Sequence, residues 1–157
     1  MVHIAIEYVI LIPLLVLQIF LFPLTASWLT NVWGTSSQTI ALQQVASQVG
    51  TSIQQLYISL NHTTIESGTV KDTLYLPSLL SGYTYTGNAT LVPAPGSASN
   101  VLHLTLKYIG AAISTTTLVP LGQNAQWQNS SFMSNSTSTS INGNKDNNGI
   151  IWLSFGT

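Results

Sequence analysis

An apolar run close to the start of the chain constrains the fold more than any other feature. Residues 8–24 read YVILIPLLVLQIFLFPL, in which Gln18 is the one amide side chain. Counted from Val2, the apolar region is about 23 residues long, or roughly 35 Å as a helix, which is enough to span a bilayer. Pro13 and Pro23 would kink or break an ordinary soluble helix, but packed neighbouring helices can satisfy the freed carbonyl groups. We therefore predict a helix that is covered by lipid or by other helices.

The second unusual feature is the scarcity of charge. Only seven residues are Lys, Arg, Asp or Glu, or 4%, against roughly 25% in ordinary soluble domains. Ser and Thr number 38 and Asn and Gln another 21, so the polar surface must consist of hydroxyls and amides. Such a surface suits a packed assembly or a sugar-coated protein, and an acidic or hot habitat is an alternative explanation. With a net charge of −1, the chain has no bulk electrostatic attraction for nucleic acid, and we predict no nucleic-acid partner.

A second helical pattern follows the apolar run. Apolar residues recur at a spacing of three and four from Ile40 to Leu60, and Gln and Ser occupy the other face. We predict an amphipathic helix whose apolar stripe packs on the rest of the chain and which ends near Leu60 to His62. Helix then covers most of residues 2–61, with Gly34 as a candidate break.

From Thr69 onward the period changes to two. Stretches rich in Thr, Val, Tyr and Leu predict strands at Val70–Leu76, Tyr83–Val92, Val101–Tyr108, Ile113–Val119 and Ile150–Phe155. The Ser- and Asn-rich stretch Asn129–Asn148 is predicted to be an exposed loop. The predicted fold class is α+β: a long hydrophobic N-terminal helix over residues 1–62, then an Ig-like β-sandwich over residues 63–157.

The start of the apolar run carries a resemblance to a known family. Ala5-Ile6-Glu7-Tyr8, an aliphatic run and then Pro13 resemble the N-terminal motif of type IV pilins, especially the archaeal class III signal group and the Tad-type pseudopilins. Those families share a glutamate, an aromatic residue, an aliphatic run and often a proline, in that order. The matching segment ends near Leu15 and is a small part of the chain. A lone carboxylate at the head of an apolar run is costly and needs a reason.

The resemblance implies a function in assembly. A pilin is held in the membrane by its helix and is then built by the pilus assembly machinery into an extracellular homopolymeric filament, here with adhesion as the expected use. Glu7, Tyr8 and Pro13 become assembly residues, with the Glu7 carboxylate paired to the terminal amine of a neighbouring subunit. The alternative for Glu7 is a position among lipid headgroups. Rival functions are a minor pseudopilin of a secretion or uptake machine and a monomeric membrane-anchored surface binding domain.

Four glycosylation sequons lie outside the apolar run. They begin at Asn61, Asn88, Asn129 and Asn135, and in an exported protein they are natural acceptors for N-linked glycans. We expect no other cofactor. The three histidines are widely separated and lack the spacing of metal ligands, and the few carboxylates form no acid–base pair. We therefore predict a structural protein rather than an enzyme, with no metal site.

Overall fold

The fold is α+β, as predicted: one long N-terminal helix is followed by a β region of two sheets. The computed structural model describes residues 2–94, 96, 99–136 and 138–156, with side chains from Val9 onward. The elements are α1 (Val2–Leu60), β1 (Gly68–Thr73), β2 (Tyr85–Pro93), β3 (Asn100–Tyr108), β4 (Ser114–Leu121), β5 (Ala125–Trp127), β6 (Ser131–Met133), β7 (Ser140–Lys145) and β8 (Ile151–Gly156).

The chain divides into two compact units, Met1–Ser37 and Gln38–Thr157. The first unit is helical and includes both prolines, and the helix continues through Gly34, the candidate break. The second unit contains the last part of α1 and all eight strands. The sequence-based division after residue 62 followed the change from helix to strand. The compact unit begins earlier because the end of α1 belongs to the core of the β region.

The strands of the second unit form two sheets of four. Their orders are β1-β7-β8-β5 and β4-β3-β2-β6. All neighbouring strands are antiparallel except β5 and β8, which run parallel, so the first sheet is mixed. Along these strands the chain changes sheet between β1 and β2, between β4 and β5, between β5 and β6, and between β6 and β7. The Phe132 ring of β6 and the Phe155 ring of β8 lie 4.8 Å apart in an edge-to-face arrangement and join the two sheets.

The amphipathic part of α1 packs into the same core as both sheets. Its stripe is buried at Leu42, Val45, Val49, Ile53, Leu56 and Leu60, whereas Ile40 is 54% exposed, so the buried stripe begins later than the sequence pattern predicts. Alternate residues of the inner strands point into the same core as the helix stripe. The fully buried ones on β3 and β8 are Leu102, Leu104, Leu106, Ile151 and Leu153. The last part of α1 therefore contributes side chains to the shared core of the two sheets.

The loop predicted over Asn129–Asn148 is wrong in two segments. β6 and β7 lie within it, and each buries an apolar side chain, Phe132 and Ile141 respectively. β7 is an inner strand, paired with β1 on one side and β8 on the other. Its composition concealed it, because Asn and Gly have low β propensity and only one large apolar residue marks the inward face. The three-residue strand β5 was also missed, since it is too short to show an alternating pattern.

Candidate assembly segment and glycan acceptors

The first candidate site is the exposed apolar stretch Val9–Trp33, called here the assembly segment. Its large apolar side chains are all exposed, from 42% at Val32 to 75% at Phe22. None of the most apolar part of this helix is buried by the described residues of the chain. By length and composition this part of α1 is able to cross a membrane.

The apolar surface of the assembly segment has no polar side over its first turns. The four consecutive residues 9–12 are all aliphatic, and at 3.6 residues per turn they point in every direction around the helix. A helix that is apolar all round is stable only when lipid or protein surrounds it. The segment must therefore be covered by something outside this chain's described residues.

The later part of the assembly segment mixes large aromatic side chains with hydroxyls. Trp28 and Trp33 are 67% and 68% exposed. The threonine hydroxyls bond to carbonyls of the preceding helical turn: Thr25 Oγ1 donates to the Leu21 oxygen at 3.1 Å, and Thr30 Oγ1 to that of Ala26 at 2.9 Å. Because these donors are satisfied within the helix, this surface can pack against apolar neighbours without leaving the hydroxyl donors unpaired.

The predicted assembly residues lie at the start of this helix. Pro13 is inside α1 and is exposed. The backbone of Glu7 and Tyr8 is helical, but their side chains lie outside the described part of the structure. The proposed contact between the Glu7 carboxylate and a neighbouring amine therefore remains a prediction.

The four sequon asparagines are all exposed and are separate from one another along the β region. Asn61 follows the end of α1, Asn88 lies in the middle of β2, and Asn129 and Asn135 flank β6. Asn61 Oδ1 accepts a hydrogen bond of 2.9 Å from Asn124 Nδ2. Thr137, which completes the sequon of Asn135, lies outside the described residues. Exposure makes these asparagines accessible to an oligosaccharide-transferring enzyme.

Two buried tyrosines of the second sheet donate hydrogen bonds to backbone carbonyls, one inside α1 and one in the loop after β1. The Tyr85 hydroxyl donates to the Pro77 carbonyl at 2.9 Å, and the Tyr108 hydroxyl donates to the Gln38 carbonyl at 3.1 Å. Burial raises the pKa of Tyr85 to about 12, and repulsion from the Tyr108 phenolate adds to this. Burial also raises the pKa of Tyr108, against an opposing hydrogen bond with Ser81.

Lys145 on β7 is a buried cation that the sequence analysis did not single out. Its side chain is buried, and its Nζ donates to the carbonyl oxygens of His62 at 3.2 Å and Ile65 at 2.6 Å. The ammonium thus binds carbonyls just beyond the C-terminal end of α1, where the helix dipole favours a cation. The sequence feature that could have identified Lys145 as buried is its spacing of two residues from Gly143 and four from Ile141, which places all three on the inward face of β7.

Among the described residues, no three His, Asp or Glu side chains lie together in an arrangement that could hold a metal ion. Comparison of the chain with protein-family models, curated proteins and solved structures gives no match in any of the three.

Proposed function

We propose that the chain is the structural subunit of an extracellular filament of the type IV pilus kind. The assembly segment holds each subunit in the membrane before assembly and then forms the helical interior of a homopolymer. The β region lies on the outside and serves attachment to surfaces or cells. The pilus assembly machinery transfers subunits from lipid to the filament.

The observation that carries this proposal is the exposure of the whole apolar surface of the assembly segment. Lipid and a bundle of identical helices are the two environments that can cover an apolar surface on every side. Lipid tails are about as apolar as leucine, so exchange from one to the other has little hydrophobic driving force. Close helix packing, pairing of Glu7 and work by the assembly machinery must supply the free energy.

The later residues of the assembly segment favour a filament over a permanent membrane anchor. A bilayer core of about 30 Å accommodates roughly 20 helical residues, and a span that begins near Val2 ends near Leu24. Trp28, Leu29 and Trp33 lie beyond it and are still 43–68% exposed. Tryptophan alone is typical of a membrane interface, but an exposed leucine beside it is better covered by a neighbouring helix.

The surface of the β region is also suited to close packing of subunits. Of the 157 residues only three are cationic and four are acidic, so neighbouring copies repel one another weakly. A minor pseudopilin would share all these features, and its abundance would distinguish it, because only a major subunit forms visible filaments.

Electron microscopy of material sheared from the cell surface, with mass spectrometry of its subunits, tests the proposal. We expect filaments built of this chain. Leu29→Asn, in the assembly segment, should reduce filament yield while membrane-held subunit persists. The matched control Leu118→Asn changes a leucine that is 60% exposed on β4, creates no new sequon, as Leu29→Asn creates none, and should leave the yield unchanged. A monomer that needs detergent, recovered under conditions in which the cells make fibres of another protein, would refute the proposal.

A further inference from the structure

A cleft opens between the two sheets beside the last part of β2. Its volume is about 540 Å³, which is within the range of small-ligand sites. β6 pairs with β2 only over residues 86–88, so the edge of β2 beyond Asn88 is not covered by β6. The walls combine apolar and polar side chains, among them Leu91, Pro93, Trp127, Thr90, Gln126 and Asn129.

The chemistry of the cleft restricts its ligand. None of the residues that line it is charged, which disfavours a phosphate, a carboxylate or a metal ion as the main determinant of binding. The amides of Gln126 and Asn129 each offer a donor and an acceptor, and Thr90 adds a hydroxyl. A pyranose ring has the matching character, because it carries hydroxyls around its edge and apolar C–H groups on its faces. Neutral saccharides therefore fit both kinds of wall.

The walls of the cleft are held in place by contacts that a ligand does not have to create. Asn100 Nδ2 donates to the carbonyls of Gln123 at 3.3 Å and Ala125 at 3.2 Å, which fixes β5 against the start of β3. The Trp127 ring packs edge-to-face on Phe155 at 5.0 Å. A site that is already ordered loses little entropy on binding.

The outer face of the first sheet carries an exposed tryptophan next to Gln126, one of the residues that line the cleft. Trp152 is 45% exposed on β8, and the strand register places it beside Gln126 on β5 and Asn144 on β7. An indole flanked by two amides offers a surface for a second sugar ring, with the indole against C–H groups and the amides on hydroxyls.

We propose that the cleft bounded by Leu91, Gln126, Trp127 and Asn129 binds a neutral saccharide. The saccharide comes either from another molecule or from a glycan attached to Asn129 of the same chain, since this asparagine lines the cleft and begins a sequon. Binding does not require polymerisation, so failure of this proposal and failure of the filament proposal are separate results.

Titration of the full-length, unglycosylated chain with disaccharides tests the proposal. The protein is held in a polyoxyethylene detergent, because glycoside detergents would compete for the cleft. The probes are cellobiose, mannobiose and diacetylchitobiose, and the readout is the NMR shift of side-chain amides. We expect at least one probe to bind with a Kd of about 1 mM or tighter and to shift the Gln126 amide. Gln126→Ala should weaken binding about fivefold, and the exposed helix variant Gln48→Ala should not.

Glycosylated protein distinguishes the two sources of saccharide. Ser131→Ala removes the sequon but keeps the Asn129 side chain in the cleft. If the chain's own glycan fills the cleft, added disaccharide binds Ser131→Ala and not the glycosylated parent. If the ligand comes from another molecule, both bind it. The proposal is overturned if no probe binds the unglycosylated chain at up to about 50 mM, or if Gln126→Ala binds as tightly as the parent. It is also overturned if only an extended Thr-Val peptide shifts the β2 amides, because the cleft would then be a site where a peptide pairs with the edge of β2 as an added strand.

Discussion

Gly143 of β7 lies directly against Leu60, the last residue of α1. A Cβ atom at position 143 would come within 2.5 Å of Leu60 Cδ1 and 2.9 Å of Leu56 Cδ2. The helix end can thus approach the sheet this closely because residue 143 has no side chain. The glycine that hides β7 from a sequence pattern is the residue that lets the helix pack on it.

Gly143→Ala should therefore destabilise the second unit. The added methyl must displace two buried leucines, and overpacking of this kind costs about 1–3 kcal/mol. Denaturant unfolding followed by far-ultraviolet circular dichroism measures the change. Gly68→Ala is the matched control, because Gly68 is also a strand residue of the first sheet and has no atom within 4 Å of its Cβ position. Equal stability of the two variants would contradict the close packing of Gly143 against Leu60 and Leu56.

Lys145→Met should lower the free energy of unfolding by about 1–3 kcal/mol. Methionine keeps most of the apolar stem but removes the donors to the His62 and Ile65 carbonyls, and the partners of a lost charged hydrogen bond are left unpaired. Thermal unfolding provides the measurement. Lys71→Met, at an exposed position on the neighbouring strand β1, should change stability by no more than about 0.5 kcal/mol. A loss of the same size in both variants would show that charge, and not the carbonyl contacts, is responsible.

The buried Tyr85 should make the second unit sensitive to alkaline pH. Its pKa is about 12 in the folded chain and about 10 when unfolded, so the folded state retains the phenol proton longer. This contribution is fully present below pH 10 and is lost as the pH rises through 12. Two pKa units correspond to roughly 3 kcal/mol.

Denaturant midpoints between pH 8 and pH 12 test this expectation. Tyr85→Phe should lower stability at pH 8 by about 1 kcal/mol, through loss of the hydrogen bond to Pro77, and should flatten the decline above pH 10. Tyr75→Phe, at a position that is 87% exposed, should follow the parent at every pH. An unchanged slope in Tyr85→Phe would rule out this residue as the source of the alkaline sensitivity.

The large features of the fold could be predicted from the sequence because they have strong periodicity. The apolar run, the stripe from Leu42 to Leu60 and five of the eight strands each show a pattern long enough to recognise. β5 and β6 have three residues each, and β7 has a single large apolar residue, so their pairing depends on contacts distant in sequence. Local patterns carry no information about such contacts.

The candidate sites also differ in whether local sequence patterns could predict them. The assembly segment is a property of composition and could be predicted directly. The cleft beside β2 combines residues near position 91 with residues near position 127, and only the crossing of the chain between sheets brings these together. The donors of Lys145 likewise reach carbonyls about 80 residues away in sequence.

At least one sequon should be occupied in the native protein. All four asparagines are exposed, so folding leaves none of them inaccessible. The intact mass of subunits from the native source should exceed the 16.9 kDa of the bare chain, and peptides containing Asn61, Asn88, Asn129 or Asn135 should carry the added mass. Replacing all four by Gln should return the mass to that of the bare chain. A native subunit that has the bare mass would refute the prediction.

Glu7→Ala should impair filament formation while leaving the subunit in the membrane. In the proposed assembly the carboxylate pairs with the terminal amine of the next subunit, and a hydrogen bond between charged groups contributes about 1.5–3 kcal/mol, so each addition step should weaken about tenfold or more. Membrane insertion depends on the apolar run and should not change. Filament counts by electron microscopy and subunit content of the membrane fraction give the two readouts. Glu66→Ala is the matched control, because Glu66 is an exposed carboxylate in the turn after α1 and should leave both readouts unchanged. If Glu7→Ala makes filaments at the parental level, the carboxylate belongs among lipid headgroups and has no part in assembly.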